Sequence, residues 1–204
     1  MPEIKNNIAA NLLKYKHTLI LSKGQIGVKK LTVSGQQTNI GSVYILADKT
    51  TDKTGRRIAS RLCNSSACVD MGLNVVYRCD TFEQFDDSAI IILLGGEKSA
   101  LCCPAGLPVA VSSSNRSALR ILGNRSRHAI ICGMYARDTI TLSSYDRDCA
   151  LVALQRTLLS LSGEEIEPRE IKVHLRESIP SPDIPLITAA LLLNGCCDKN
   201  EFEV

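Results

Sequence analysis

One polar segment combines Lys and Thr in a way that is typical of phosphate binding. It is Asp48-Lys-Thr-Thr-Asp-Lys-Thr-Gly55, and it follows an apolar run. A phosphate loop pairs Lys and Ser/Thr with several glycines, so that backbone N–H groups can wrap the anion. Those glycines are missing here, and Asp48 and Asp52 would repel a phosphate, which favours an ordinary polar loop between a strand and a helix. The candidate ligand-binding residues of this segment are Lys49, Thr50, Lys53 and Thr54.

Two further segments could bind an anion. Gly95-Gly-Glu-Lys-Ser99 places two glycines before a predicted helix, where N–H groups are free to bind, although such glycines also serve tight turns. Ser112-Ser-Ser-Asn-Arg-Ser117 opens another predicted helix, and it either caps that helix or offers hydroxyl groups to a phosphate or ribose. The candidate binding residues are Gly95, Gly96, Ser113, Ser114 and Asn115.

Catalytic and metal-binding patterns are not evident from spacing. His17, His128 and His174 are far apart in sequence, and the nine cysteines include no Cys-x-x-Cys pair. We therefore expect no metal and no cofactor. An alternative is nucleophilic catalysis by Cys103, which precedes Pro104 and is expected to be exposed, or by the serines of the Ser112–Ser117 segment.

The charge is unevenly distributed along the chain. The total is +3, but residues 1–61 hold 11 Lys and Arg against three acids, or +8, which leaves −5 for the remainder. Such asymmetry marks either an anion-binding face or a solvated basic surface. Trp is absent and aromatic residues make up 4%, so few side chains could stack on nucleic-acid bases. Nucleic acid is therefore not an expected partner.

Composition and apolar runs indicate a soluble globular protein. Hydrophobic residues make up 45% and charged residues 22%. The longest apolar runs, residues 89–94 and 184–193, are shorter than the ~20 residues that span a bilayer. The first residues do not resemble a signal peptide, so we expect free thiols in the cytoplasm and no membrane partner.

Apolar periodicity predicts an α/β domain with a largely parallel sheet flanked by helices. A helix over 3–15 and a hairpin of strands 18–21 and 28–33 form an N-terminal unit, residues 1–40, that packs on a domain over 41–197. The domain opens with alternating elements: strand 43–47, helix 55–63, strand 74–79, a helical turn from Asp80 or Thr81, strand 88–94, a short helical piece after Gly96, strand 107–111, a helix capped by Ser114 or Asn115 and ending at Gly123, and strand 128–132.

The pattern changes after residue 138. Segments 139–143, 150–161 and 170–175 predict an antiparallel layer of strands near the C-terminus, joined by polar turns. Segment 150–161 also fits helical spacing, but its neighbours need a pairing partner, which favours a strand. A helix is predicted over 180–195, and the acidic tail 198–204 is expected to fray.

Residues 88–195 resemble the central, ATP-binding domain of the Mur ligases and of folylpolyglutamate synthase. Leu107-Pro-Val-Ala-Val-Ser-Ser-Ser-Asn-Arg-Ser-Ala-Leu119 looks like the strand of that family that ends in an Asn-Ala-Asp-Asp type of turn before a helix. The stretch from His128 to Asp138 looks like the strand, Gly and Asp that follow. The antiparallel strands and the Ala-rich helix around 186–193 match in position. The resemblance implies that Asp48–Gly55 occupies the position of the ATP loop.

The catalytic parts of that family are missing from this sequence. Its Gly-rich Gly-Lys-Thr loop is replaced by the Asp48–Gly55 segment, and its long lysine- and metal-bearing segment is cut to Gly95–Gly106. Ser181-Pro-Asp-Ile184 stands where the family has a His-Asn pair, and a third domain has no room in 204 residues. The resemblance therefore implies a scaffold from which ATP-dependent ligation is lost.

We expect a non-catalytic protein that binds a small molecule carrying a phosphate group, or that binds a protein partner. A small transferase or hydrolase is the alternative. A third hypothesis is a partner-binding scaffold or homo-oligomer, with the apolar residues Leu186–Leu193 of the final helix as its interface.

Overall fold

The computed structural model describes residues 18–22, 25–29, 41–79, 84–124, 128–195 and 200–204. The predicted helix over 3–15 and most of the predicted turn after Asp80 lie outside these residues.

Five parallel strands form the centre of the sheet. They are β3 (Ser42–Ala47), β4 (Asn74–Cys79), β5 (Ala89–Leu93), β6 (Val109–Ser112) and β7 (Ala129–Gly133). Continuous apolar runs predict such strands, because a parallel strand is covered on both faces, and every residue of β3 and β5 is buried. The chain runs from β3 to its neighbour β4, then passes to the other side of β3 to begin β5, with β6 and β7 following in order.

Further strands extend both sides of this centre. The hairpin of β1 (Thr18–Ser22) and β2 (Gln25–Lys29) joins the sheet beside β4. A hairpin was predicted here, but its second strand is residues 25–29 and not 28–33; residues 30–33 lie outside the described residues. Beyond β7 the sheet continues through β8 (Ile140–Tyr145), parallel to β7, then β9 (Cys149–Leu154), antiparallel to β8, β12 (Arg169–His174), antiparallel to β9, and β13 (Glu201–Glu203), parallel to β12. In the described part of the chain this sheet has eleven strands, and six of its ten neighbouring pairs are parallel.

Segment 150–161 is extended, as predicted, but it is divided into two strands. β9 ends at Leu154, and after an exposed turn β10 (Leu158–Leu159) pairs with β11 (Glu165–Ile166) in a separate two-stranded sheet. The expected fraying of the acidic tail is wrong. Residues 201–203 pair with β12, because Phe202 and Val204 alternate on the buried face and contribute to the core.

Among the described residues, five α-helices flank the sheet: α1 (Asp52–Asn64), α2 (Ser66–Met71), α3 (Glu97–Cys102), α4 (Arg116–Asn124) and α5 (Ile184–Leu193). Helices α1, α2 and α5 pack in the larger core, on one face, and α3 and α4 pack in the smaller core, on the other. The sequence pattern did not predict α2, which is short. Its limits are local: the Ser65 hydroxyl accepts the Cys68 N–H at its start, and Gly72, at φ 63°, ends it.

Helix α5 lies wholly inside the molecule. All ten of its residues are buried, as expected for a helix that is apolar on every side. It contacts the run of strands from β5 to β9. The hypothesis that Leu186–Leu193 forms an exposed interface is therefore wrong, because these side chains are already buried against the same chain.

The sheet coils strongly around this helix. In a flat sheet β4 and β13, eight strand spacings apart, would be separated by about 38 Å. Yet α1 packs against β3 and β4, and α2, which follows α1 directly, contacts β13. The far edge of the sheet is therefore brought round toward α2. None of the described helices is long and apolar enough to cross a membrane.

Candidate functional site

The three predicted segments meet at one edge of the sheet, which we call the carboxyl edge. Segment 48–55 follows β3, residues 94–96 follow β5, and residues 112–117 follow β6. In doubly wound sheets ligands bind at this edge, at the point where the strand order reverses. Here that point lies between β3 and β5, because β4 lies on one side of β3 and β5 on the other.

The Asp48 carboxylate occupies the reversal point. Its Oδ1 accepts the backbone N–H groups of Thr50 (3.0 Å) and Thr51 (3.1 Å), and also both threonine hydroxyls (2.6 and 3.0 Å). Its Oδ2 accepts the N–H of Gly96 at 3.0 Å, from the loop that follows β5. The two loops are thus joined across the crevice by a carboxylate that belongs to the chain itself.

These hydrogen bonds keep Asp48 ionised. Partial burial acts to raise its pKa, but the donors from Thr50, Gly96 and Thr51 together outweigh burial and lower the pKa from 3.8 to about 2. The backbone N–H groups of this loop therefore already have an anionic acceptor. A bound phosphate would have to displace Asp48 to use them.

The spacing of a phosphate loop is preserved even though its glycines are not. Ala47 and Asp52 stand at the two glycine positions of G-x-x-x-x-G-K-T, followed by Lys53 and Thr54 at the start of α1. Asp52 is turned away toward β4, where it accepts a short hydrogen bond from the Tyr77 hydroxyl and a bond from Arg56 Nε at 3.0 Å.

Gly55 has a packing role in this loop. A Cβ atom added to it would lie 2.5 Å from Cε2 of Tyr77, so the close approach of α1 to β4 requires glycine. The glycine of the first segment therefore serves helix–sheet contact.

Asn115 ties the third segment to the second. Its side-chain Oδ1 accepts the N–H of Ala118 at 3.2 Å, which confirms Asn115 as the cap of α4. Its Nδ2 donates to the carbonyl oxygens of Leu94 (3.3 Å) and Gly95 (3.0 Å). The hydroxyls of Ser112 and Ser114 lie 2.8 Å apart and pair with each other.

Gly133 and Asp138 add a fourth loop, which the sequence analysis did not assign to the site. Asp138 is 1% exposed, and its Oδ2 accepts the N–H of Tyr135 at 3.1 Å. A Cβ atom on Gly133 would collide with the hydroxyl of Ser113 and with Oδ2 of Asp138, so the two loops pack closely there. The sequence does contain a signal for this loop: Gly133 ends a strand, and Asp138 follows it five residues later.

Ion pairs within the chain use all three arginines of α1, including Arg56 with Asp52. Arg57 donates to Asp183 at 2.7 Å, and Arg61 donates to Glu177 at 2.6 Å, both across more than a hundred residues of sequence. Burial raises the pKa of Asp183, and Arg57 opposes that shift. Among the described residues, Lys49 and Lys53 are exposed and make no ion pair.

The alternative nucleophiles are Cys103 and the serines of the Ser112–Ser117 segment. Cys103 is 1% exposed and its thiol lies 3.6 Å from the carbonyl oxygen of Ser99, so the expectation that it is exposed is wrong. His128 precedes β7, whereas Ser112 pairs with Cys132 near the other end of that strand, about 13 Å away. His174 is at the far side of the sheet, 3.2 Å from Glu201. The described residues contain no cluster of three metal-ligating side chains.

No protein-family model and no curated protein matches this sequence. The resemblance to the Mur ligases therefore stands on the residues quoted above.

Proposed function

We propose that this chain is a non-catalytic binding protein built on a scaffold that resembles the central domain of a Mur ligase. The observation that supports this most directly is the Asp48 carboxylate, which accepts N–H groups from two loops at the reversal point of the sheet. A nucleoside triphosphate would need those donors, and it would meet a fixed negative charge in their place.

The remaining donors at the carboxyl edge favour a ligand with a phosphate group held near the surface. Lys49 and Lys53 present unpaired ammonium groups beside Asp48. The hydroxyl groups of Thr54 and of Ser113 and Ser114 lie on the same edge. Two lysines and a few hydroxyls can hold a phosphate, but they provide neither a metal site nor a nucleophile with a base. We therefore infer binding without turnover, by a cytoplasmic protein.

The proposal is tested by thermal shift with inorganic phosphate, ADP, ATP and a UDP-sugar, with and without Mg²⁺. At ten times the dissociation constant a ligand should stabilise the native state by about 1.4 kcal/mol, or roughly 3–5 °C. The double variant K49A/K53A should abolish the shift, and K172A, which removes an exposed lysine on β12, should leave it unchanged.

Two outcomes would contradict this proposal. No shift with any of the four compounds at millimolar concentration would rule out the phosphate ligand. Hydrolysis of ATP above background by the purified chain, lost in K53A, would show that the protein is an enzyme.

A further inference from the structure

A cavity lies at the opposite end of the parallel strands from the carboxyl edge. It has a volume of about 500 Å³ and opens where β6 and β7 begin. One wall is formed by the residues that lead into these strands, the other by the β10–β11 hairpin, and Leu193 of α5 lies between them. This volume is within the range of small-molecule sites, and none of the carboxyl-edge segments lines the cavity.

The hairpin wall is held in place by its own bonds. The N–H of Leu161 donates to the carbonyl of Leu193 at 2.8 Å. Ser160 and Glu164 close the turn, with two bonds of 2.8 and 2.9 Å between them. Ile166, which is 1% exposed, anchors β11 in the main core. A ligand would therefore meet a formed cavity and would incur little cost for ordering it.

The lining is mostly aliphatic, and the one carboxylate among its described residues is that of Asp87. Pro108, Ile130, Leu158 and Leu193 provide aliphatic surface. Leu159, also in the lining, is 60% exposed, which leaves a large apolar side chain uncovered.

Two of the polar side chains that line this cavity have no partner within the described part of the chain. Asp87 and His128 are exposed, and in the described part of the chain neither makes a hydrogen bond or an ion pair. None of the described lining residues is Lys or Arg. A carboxylate and a ring nitrogen beside aliphatic walls fit a cationic donor attached to an apolar body.

We infer that this cavity binds a small organic amine with an aromatic or aliphatic body. The body would lie against the leucines and Ile130, and the ammonium group would donate to Asp87, with His128 as a second acceptor. An analogue with a carboxylate in place of the amine would face the like charge of Asp87 and bind more weakly. This site is independent of the proposed phosphate site.

A matched series of three indoles tests the inference: tryptamine, tryptophol and indole-3-propionate. The chain has no Trp, so the anisotropy of indole fluorescence reports the ligand alone. We expect tryptamine to bind most tightly, tryptophol up to about five-fold more weakly, as for an exposed ion pair, and the propionate most weakly.

Variants assign the binding to this cavity. D87N should weaken the binding of tryptamine to the level of tryptophol and leave the affinity for tryptophol unchanged. The control D70N, which removes an exposed carboxylate on α2, should change neither affinity. L159S should weaken all three compounds alike, because it removes only apolar surface. K49A/K53A should have no effect, which separates this test from that of the phosphate site.

Three results would overturn the inference. They are the absence of saturable binding of all three compounds at millimolar concentration, tighter binding of the propionate than of tryptamine, and an equal effect of D87N on tryptamine and tryptophol.

Discussion

Replacing Asp48 by Asn tests whether the carboxylate holds the loops of the carboxyl edge together. The variant keeps an oxygen for the N–H groups of Thr50 and Thr51, but it removes the charge and turns an NH₂ group toward the N–H of Gly96, which then lacks an acceptor. A pKa lowered from 3.8 to about 2 corresponds to about 2.4 kcal/mol before screening. Because the carboxylate is only partly buried, we expect D48N to lose roughly 1–2 kcal/mol at pH 7.

The pH dependence provides the sharper test. The folded pKa of Asp48 lies below the unfolded value, so its contribution is complete above pH 3.8 and is lost as the pH falls toward 2. The free energy of unfolding, from urea titrations at several pH values between 3 and 7, should therefore converge for wild type and D48N as the pH decreases. D70N serves as the control. Equal stabilities at pH 7, or a difference that stays constant across this range, would refute the reasoning.

Three further predictions concern the surroundings of the site. R57M should lower the free energy of unfolding by about 3 kcal/mol at pH 7, because it leaves the buried Asp183 carboxylate without its cationic partner. The loss, measured by urea unfolding, should shrink as the pH is lowered, since burial raises the pKa of Asp183 and protonation removes the unpaired charge; a pH-independent loss would count against this. G55A should lose about 1–3 kcal/mol through overpacking on Tyr77, and an unchanged melting temperature would contradict the contact. Iodoacetamide should label Cys102 in the native state much faster than the buried Cys103, as mass spectrometry of timed samples would show; rapid labelling of Cys103 would contradict its burial.

The sequence was most informative where apolar runs are continuous. β3, β5 and β6 follow from such runs because a parallel strand must be covered on both faces, and these strands place three polar segments at one edge. α2 escaped prediction because six residues are too few to show a period. The division of segment 150–161 into β9 and β10 depends on tertiary packing of the hairpin on α5, which no local pattern contains.

The chemistry of the site was harder to predict than its location. Asp48 is visible in the sequence as a charge that would repel phosphate, but its bond to Gly96 spans 48 residues and depends on β3 and β5 being neighbours. Asn115 could be predicted as a helix cap from its position, whereas its bonds to Leu94 and Gly95 required the same strand order. Asp138 lies where the loop after β7 packs closely on Ser113 of the neighbouring loop, and that contact depends on the strand order.

The folded chain also changes the meaning of its charge distribution. The basic excess of residues 1–61 predicts either an anion-binding face or a solvated basic surface. In the structure Arg57 and Arg61 are neutralised by Asp183 and Glu177, which belong to the acidic remainder. Of the cations in this part whose side chains the structure describes, Lys49 and Lys53 make no ion pair and are left for a ligand. Both ammonium groups are exposed to solvent, so they attract an anion only weakly. Salt also screens them at physiological ionic strength, where the Debye length is about 8 Å. Any phosphate affinity at this edge should therefore fall steeply with added salt, whereas a cavity that binds mainly through apolar contact, like the one below β6 and β7, should be nearly insensitive to it.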